Sequence, residues 1–166
     1  MLVPAIIHKD KIEEMSKRMM YNDDMFYDSG TVSPHSISIQ RDQKADGDAS
    51  RFEYAILDRN NELIGWFRYY INWYNRQLYL AGVTNLTGKA NPIIGFDLYH
   101  EVMRVVSLYK IHRIEFRMIG GNHVQRTYDK VCEKLHGNRH VLRDVFRDRL
   151  GEYHDEYIYE IVNEMR

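Results

Sequence analysis

The sequence lacks the features of a secreted or membrane-embedded protein. Its single cysteine, Cys132, cannot form an intramolecular disulfide, so we expect a reducing compartment, the cytoplasm. No apolar stretch approaches the roughly 20 residues that a membrane-spanning helix needs. The apolar start, residues 1–7, is too short for a signal peptide and is followed at once by charged residues. We therefore expect no membrane partner.

An excess of positive charge is missing as well. The chain has 23 basic and 24 acidic residues and a formal net charge of -1. Phosphates supply much of the affinity for nucleic acid, so a binder usually carries a basic surplus, and we expect no nucleic-acid partner. With 166 residues and 44% hydrophobic content, the chain is long enough for one full hydrophobic core and short for two. We predict a single domain over residues 1–166.

Hydrophobic periodicity predicts an α/β fold, with a mixed α+β sheet and helices packed on it. Ile12, Met15 and Met19 recur at helical spacing behind a capping box at Asp10 and Glu13. Later, three strands joined by short turns predict an antiparallel meander, and a strand–helix–strand order predicts one parallel pair. Predicted helices cover residues 10–21, 98–109 and 124–135, and predicted strands cover 36–40, 52–58, 62–72, 77–83, 113–118, 141–146 and 153–162.

A loop rich in glycine and asparagine, residues 84–95, separates a strand from a long helix. A helix start presents free backbone N–H groups and the positive end of the helix dipole, which suits a pyrophosphate. Gly88 and Gly95 permit close backbone approach, and Lys89 adds positive charge. A plain connection between two elements explains the same composition, so both interpretations stay open.

Two positions after the next strand have a structural and a functional interpretation. Asn122, with Gln125 three residues later, is fully explained as a helix cap of the capping-box type. Tyr128 lies on the apolar face of the helix that follows, which favours burial in the core.

A metal site is the third open interpretation. Cys132, His136 and His140 are four residues apart, as on a metal-binding helix face. Gly137 interrupts the helix before His140, and no fourth ligand is evident. We therefore expect no metal.

The most specific motifs lie in the second half of the chain. They are residues 112–115 (HRIE), 121–122 (GN), 134–137 (KLHG), 142–144 (LRD) and 151–155 (GEYHD), with 63–65 (LIG) before them. Together with the order of elements from about Ile6 onward, they resemble the GNAT-type N-acetyltransferase family. The resemblance is to the branch that includes the ribosomal-protein N-terminal acetyltransferases.

This resemblance implies a mostly antiparallel sheet with one splayed parallel pair and helices on both faces. It also implies transfer of an acetyl group from acetyl-CoA to a primary amine of a small molecule or protein. In the family the pantetheine arm lies against the fourth strand, and the pyrophosphate lies on the loop after it. The cofactor-binding residues implied here are Gly82, Val83, Thr84, Gly88, Lys89, Ala90, Asn91, Gly95 and Asn122.

The phosphate loop departs from the family pattern, Gln/Arg-x-x-Gly-x-Gly/Ala. Counting back from Gly95, the chain has Ala90 at the Gln/Arg position and Ile93 at the middle glycine. Pro92 also removes one N–H donor. These differences support a second hypothesis, a non-catalytic binding or assembly module of the same fold, which an exposed Trp73–Tyr74 turn would also suit.

Proton transfer is the second departure. An ammonium group with a pKa of about 10.4 must lose a proton before it attacks, yet residues 77–87 contain no carboxylate; Glu115 lies on the neighbouring strand. For the leaving thiolate the resemblance implies Tyr128 as the acid, although alignment from the Lys134 end places Cys132 there. A thiol with a pKa of about 8.5 leaves readily, so this acid is dispensable.

The expected partner is the amine acceptor, and a homodimer is left open. The resemblance places the acceptor pocket at residues 22–28 and the last hairpin. Residues 22–28 supply acidic and aromatic surface suited to a cationic amine. An exposed charged turn explains that segment equally well.

Overall fold

A seven-stranded sheet organises the part of the chain that the computed structural model describes, residues 1–21, 26–29, 39, 48–88 and 91–163. The strands are β1 (Leu2–Pro4), β2 (Ala49–Leu57), β3 (Leu63–Asn72), β4 (Gln77–Asn85), β5 (Arg113–Ile119), β6 (Asn138–Arg147) and β7 (Tyr153–Val162). The helices are α1 (Lys9–Tyr21), α2 (Phe26–Ser29), α3 (Pro92–Tyr109) and α4 (Gln125–Lys134), with a 3₁₀ turn, Ala5–His8, before α1. None of these described helices is long and apolar enough to cross a membrane.

The strand order is β1-β2-β3-β4-β5-β7-β6, and within the described residues β4 with β5 is the one parallel pair. The antiparallel meander β2–β3–β4 and the closing hairpin β6–β7 are both as predicted. Helix α3 connects the two parallel strands, as the strand–helix–strand order requires. The predicted fold class, a mixed and mostly antiparallel sheet with one parallel pair, is confirmed.

Helices pack on both faces of the sheet, which is again as predicted. On the α3 face, Val105 and Val106 pack with Phe67 and Ile71 in the main core cluster. On the α1 face, Ile12 packs with Ala55, Trp66 and Leu57. Alternating side chains of the central strands therefore enter two different environments.

The capping box at Asp10 was wrong, one strand was missed, and one predicted strand is not tested. Lys9 starts α1 directly after the 3₁₀ turn, so Asp10 lies inside the first helical turn and not at a cap. Strand β1 was missed, since three residues carry no periodic signal. The predicted strand 36–40 lies outside the described residues, apart from Ile39, which is buried.

Of the two aromatic residues in the turn between β3 and β4, one is exposed as expected and the other is packed against the protein. Tyr74 is 88% exposed, as the non-catalytic hypothesis requires. Trp73, in contrast, packs edge-on against Tyr109 at 5.1 Å between ring centroids, and its Nε1 donates to Ser50 Oγ at 2.8 Å. Trp73 is therefore part of the structure of the turn and not of an exposed aromatic surface.

A β-bulge in β4 positions the site. The pairing of β4 with both neighbours shifts register around Leu80, whose φ of 50° is in the left-handed region. A bulge of this kind bends its strand. Ala81 opposite Phe116 is the last pair between β4 and β5, although both strands continue beyond it. The two parallel strands therefore separate at this point, as the resemblance implied.

Candidate active site

A cavity of about 570 Å³ lies where β4 and β5 separate. Its wall combines backbone and side chains of five elements, which are α2, β4, β5 and the starts of α3 and α4. A smaller cavity of about 130 Å³ adjoins it between α3 and α4, and its wall is almost entirely apolar. The residues common to both walls are Ala81, Gly82, Val83, Gly95, Leu98, Thr127 and Tyr128.

Most of the residues predicted for the site come together at the larger cavity. Its wall includes Gly82, Val83, Asn91, Gly95, Asn122 and Tyr128. Thr84 is buried on the opposite face of the sheet, where it pairs with Trp66, and lines neither cavity. Gly88, with a φ of +64°, lies in the turn after β4 and also lines neither. Lys89 and Ala90 lie outside the described residues.

The start of α3 is a capped helix terminus beside the cavity. Asn91 is the N-cap, and its Oδ1 accepts from the backbone N–H of Ile93 at 3.0 Å. Ile94 donates to the Asn91 carbonyl at 3.2 Å, and Pro92 has no N–H. Most of the donors at this terminus are thus used within the chain. Gly95 is open to the cavity, since a Cβ built there meets nothing within 4 Å.

Asn122 positions the wall of the cavity. Its side chain is buried, with Nδ2 donating to the Tyr27 carbonyl at 2.8 Å and Oδ1 accepting from Val124 N at 3.0 Å. Gln125 Oε1 accepts from Gly121 N at 3.2 Å. The predicted cap residues are therefore both used, but the bond from Asn122 reaches two residues ahead and Val124 is the N-cap. Asn122 ties α2 to the end of β5.

Tyr128 lies at the junction of core and cavity. Its ring packs edge-on against Phe116, with centroids 5.0 Å apart, and it also lines both cavities. The alternative residue, Cys132, is buried in the core against Tyr159 and Met118 and lines neither cavity. Burial raises the pKa of the Cys132 thiol. Of the two candidate proton donors, Tyr128 lines the cavities and Cys132 does not.

Glu115 is held away from the cavity wall. Strand alternation directs it to the face opposite Phe116 and Met118. There Glu115 Oε1 accepts from Arg117 Nε at 3.0 Å and Nη2 at 2.9 Å, and Arg113 Nη2 is 3.6 Å from Oε2. Among the described residues that line the larger cavity there is no carboxylate, and His123 is the one imidazole.

Sequence reasoning missed several residues of the wall. Tyr27, Arg117, Met118, His123 and Thr127 all line the larger cavity. Tyr27 belongs to the segment predicted for the acceptor, of which residues 22–25 lie outside the described part. Thr127 precedes Tyr128 on α4, and Met118 follows from the alternation that puts it on the same face of β5 as Phe116. Arg117 is on the opposite face and does not follow from that alternation. His123, next to Asn122, carries no separate signal in the sequence.

Two of the three residues of the metal hypothesis, Cys132 and His140, have other surroundings. Cys132 is in the core, and His140 Nε2 lies 3.5 Å from Glu160 Oε2. In the described part of the chain, one group of three potential ligands clusters within 4.8 Å, and it is Asp148, Glu152 and His154. The hydrogen bond from His154 lowers the pKa of Asp148 in that group.

Comparison with solved structures identifies the fold. A proposed acetyltransferase from Acinetobacter baylyi ADP1 aligns with a TM-score of 0.68 at 13% identity, over 99% of this chain and 90% of that one. The chain has the GNAT acetyltransferase fold. The resemblance drawn from the C-terminal motifs is thus confirmed at the level of the fold. No protein-family model matches the sequence, and no curated protein matches it.

Other GNAT-fold structures match a smaller part of the chain. The ribosomal-protein-S5-alanine acetyltransferase from Vibrio fischeri is 17% identical, with a TM-score of 0.54 over 69% of this chain and 63% of that one. Another proposed acetyltransferase is 21% identical, with a TM-score of 0.50 over 68% of this chain and 57% of that one. These matches span less than two thirds of the relatives' length. At such identities the GNAT fold is shared, whereas the activity is a separate question.

Proposed function

We propose that the protein is an N-acetyltransferase that transfers the acetyl group of acetyl-CoA to a primary amine. The observation that carries the proposal is the separation of β4 from β5 beyond Ala81 and Phe116, together with the cavity of about 570 Å³ that fills it. An elongated acyl carrier fits such a gap. The acetyltransferase names of the GNAT-fold relatives support the same reaction class.

The residues present fit the arm of the carrier well. Beyond Ala81, the edge of β4 that faces β5 has no strand partner among the described pairs. An unpaired strand edge offers N–H and C=O groups to an extended ligand that carries amides. Gly82 and Val83 lie on this edge, and Leu98 from α3 adds apolar contact in both cavities. These residues are the proposed contacts of the arm.

The start of α3 offers few free N–H donors to the phosphates of the carrier. The dipole of α3 favours an anion at its start, beside Gly95. Asn91 and Pro92 nevertheless reduce the number of free N–H donors there. We therefore expect binding to depend more on the arm than on the pyrophosphate.

The chemistry needs little from the chain beyond position and proton transfer. When bound, acetyl-CoA supplies the thioester whose C–S bond breaks as the C–N bond to the amine forms, while the amine loses one proton and the sulfur gains one. Tyr128 is the proposed proton donor to the sulfur, because its ring lines both cavities. His123 or water is the proposed proton acceptor, because the described wall contains no carboxylate.

Calorimetric titration with acetyl-CoA tests the proposal. Wild-type protein should bind with a dissociation constant in the micromolar range, about 8 kcal/mol. Gly95→Asp places a carboxylate in open space beside the proposed pyrophosphate and should weaken binding at least about 30-fold by charge repulsion. Gly95→Asn has the same size without the charge and should bind within about threefold of wild type.

The outcomes separate the two hypotheses. Equal losses for Gly95→Asp and Gly95→Asn would show that no anionic group lies there. No binding by the wild type would favour the non-catalytic module, which the absence of a carboxylate from the described wall also supports. Binding without release of free thiol in the presence of any amine would favour the same alternative.

A further inference from the structure

Arg68 is a cation close to the site, and the carboxylate directly opposite it on β2, that of Glu53, is bound by Arg51. Arg68 lies on β3 opposite Gly82, on the α1 face of the sheet, and it is half-buried. Its Cζ lies 5.1 Å from the centroid of the Trp66 ring. It makes no hydrogen bond or ion pair with any described residue.

The other arginines on this face are different. Arg51 pairs with Glu53, Arg113 Nε lies 2.7 Å from Glu160 Oε1, and Arg117 Nη2 lies 2.9 Å from Glu115 Oε1. Carboxylates are therefore matched to guanidinium groups along β2, β5 and β7. Arg68 on β3 is the exception among these four arginines.

The environment does not favour this charge. Burial lowers the pKa of Arg68, and repulsion from Arg51 lowers it further, while Tyr70 and Glu53 act in the opposite direction. A guanidinium remains charged in spite of such a shift, because its intrinsic pKa is above about 12. A cation–π contact with the Trp66 ring offsets part of this cost. An unmatched positive charge thus persists here.

A second donor without a partner lies under the guanidinium. Trp66 is 3% exposed, and among the described residues its indole Nε1 has no hydrogen-bond partner. Buried donors are nearly always matched by an acceptor. Two neighbouring unmatched donors, one of them charged, are the pattern expected of a site for an anion.

Gly82 links this position to the site. A Cβ built on Gly82 would lie 3.9 Å from Arg68 Nε, and Gly82 also lines both cavities. No side chain at position 82 therefore stands between the guanidinium and the gap. A group bound to Arg68 lies directly across β4 from the proposed acetyl carrier.

We propose that Arg68 binds a carboxylate of the amine acceptor, so that the substrate class is a small amino acid. This inference rests on the proposed N-acetyltransferase function. A guanidinium donates two parallel N–H bonds to a carboxylate, which orients the molecule as well as binding it. The amine of the same molecule then reaches into the gap beside Gly82.

Nuclear magnetic resonance of the indole N–H groups tests this without turnover. The chain has two tryptophans, Trp66 under Arg68 and Trp73 in the β3–β4 turn, so two indole signals report on the two places. N-acetylglycine is the probe, because it carries the carboxylate of a product, and N-acetylglycinamide is its uncharged match. We expect N-acetylglycine alone to move the Trp66 signal in a saturable way and to leave the Trp73 signal in place.

Variants assign the effect to Arg68. Arg68→Gln should abolish the response, whereas Arg59→Gln, which removes the same charge from an exposed turn, should retain it. Arg68→Lys keeps the positive charge but cannot donate two parallel N–H bonds. It should therefore weaken N-acetylglycine binding, followed by the Trp66 signal, about tenfold. Removal of an unmatched cation should leave the melting temperature of Arg68→Gln equal to or above that of wild type. A clear fall would indicate a structural ion pair instead and would overturn the proposal.

The remaining outcomes separate this proposal from the proposed function. A Trp66 signal that ignores N-acetylglycine in a protein that binds acetyl-CoA would overturn the acceptor class and leave the function standing. A response to inorganic phosphate but not to N-acetylglycine would also overturn the carboxylate assignment. A specific N-acetylglycine response in a protein that does not bind acetyl-CoA would support the anion site and remove the function.

Discussion

The two ends of the β4–β5 pair differ in how they are filled. At the closed end Leu78 pairs with Ile114, which pairs in turn with Ile161, and all three are buried in one cluster. At the open end, beyond Ala81 and Phe116, the wall consists of Gly82, Gly95 and the edges of side chains. The same two strands thus form core at one end and a cavity at the other.

This difference shows that the site lies where the close packing of β4 against β5 ends. The bulge at Leu80 separates the ends, because it bends β4 after the last well-packed residues. Residues at the closed end should therefore be sensitive to any change of volume. Residues at the open end should tolerate volume and respond to charge or to loss of a functional group.

The largest effect is expected from Gly137→Ala at the closed end. A Cβ there would lie 2.6 Å from the Glu160 carbonyl oxygen and 2.9 Å from Cys132 Sγ, and a backbone atom cannot give way cheaply. We expect a loss of about 3 kcal/mol in the free energy of unfolding, measured with urea. Gly95→Ala is the matched control at the open end, where it should gain about 0.5–1 kcal/mol as a helix residue. Similar losses in both variants would remove the distinction between the ends.

A smaller effect, with a defined pH dependence, is expected from Glu101→Gln on the buried side of α3. Glu101 accepts from Tyr69 at 2.8 Å and from Arg104 at 2.8 Å in a buried position away from the gap. Burial raises the pKa of the Glu101 carboxyl, but these hydrogen bonds outweigh it and hold the pKa below its ordinary value of 4.5. A group with a lowered pKa stabilises the fold above that ordinary value and loses the effect as the pH falls through the folded pKa.

Glu101→Gln should therefore cost about 1–3 kcal/mol at pH 7, and the difference from wild type should shrink below pH 4.5. Urea denaturation at both pH values measures it. Glu133→Gln, an exposed position on α4, should change stability at neither pH. If Glu101→Gln lowered the free energy of unfolding equally at both pH values, the charge of the carboxylate would not contribute to stability at this position.

The smallest effect in energy is expected from Tyr128→Phe at the open end. Loss of the hydroxyl should lower kcat about tenfold, since the thiolate is a good leaving group without an acid, and should leave acetyl-CoA binding unchanged. Release of free thiol under saturating substrate measures kcat. Cys132→Ala should lower stability and leave kcat unaltered, because Cys132 lines neither cavity. The reverse pattern would transfer the role to Cys132.

The sequence by itself determined the fold class, the order of the elements other than β1 and α2, and part of the cavity wall. These follow from local information: the meander from alternating runs and short turns, α3 and α4 from helical periodicity, and the site from a loop and an asparagine at strand ends. Gly82, Val83, Asn91, Gly95, Asn122 and Tyr128 were all predicted and all line the larger cavity.

Tertiary structure alone decided which of the remaining residues meet. The bulge at Leu80 shifts the register of β4, so Thr84 faces the α1 side and leaves the cavity that the strand position suggested. Glu115 pairs with Arg113 and Arg117 of its own strand, and the pairing of β5 with β7 adds carboxylates of β7 to this ion-pair network. Arg68 and Gly82 are neighbours across strands, and only the fold shows that Glu53, opposite Arg68 on β2, binds Arg51. Periodicity reports which face a residue occupies, whereas contacts across the sheet depend on register, and register is set by the whole fold.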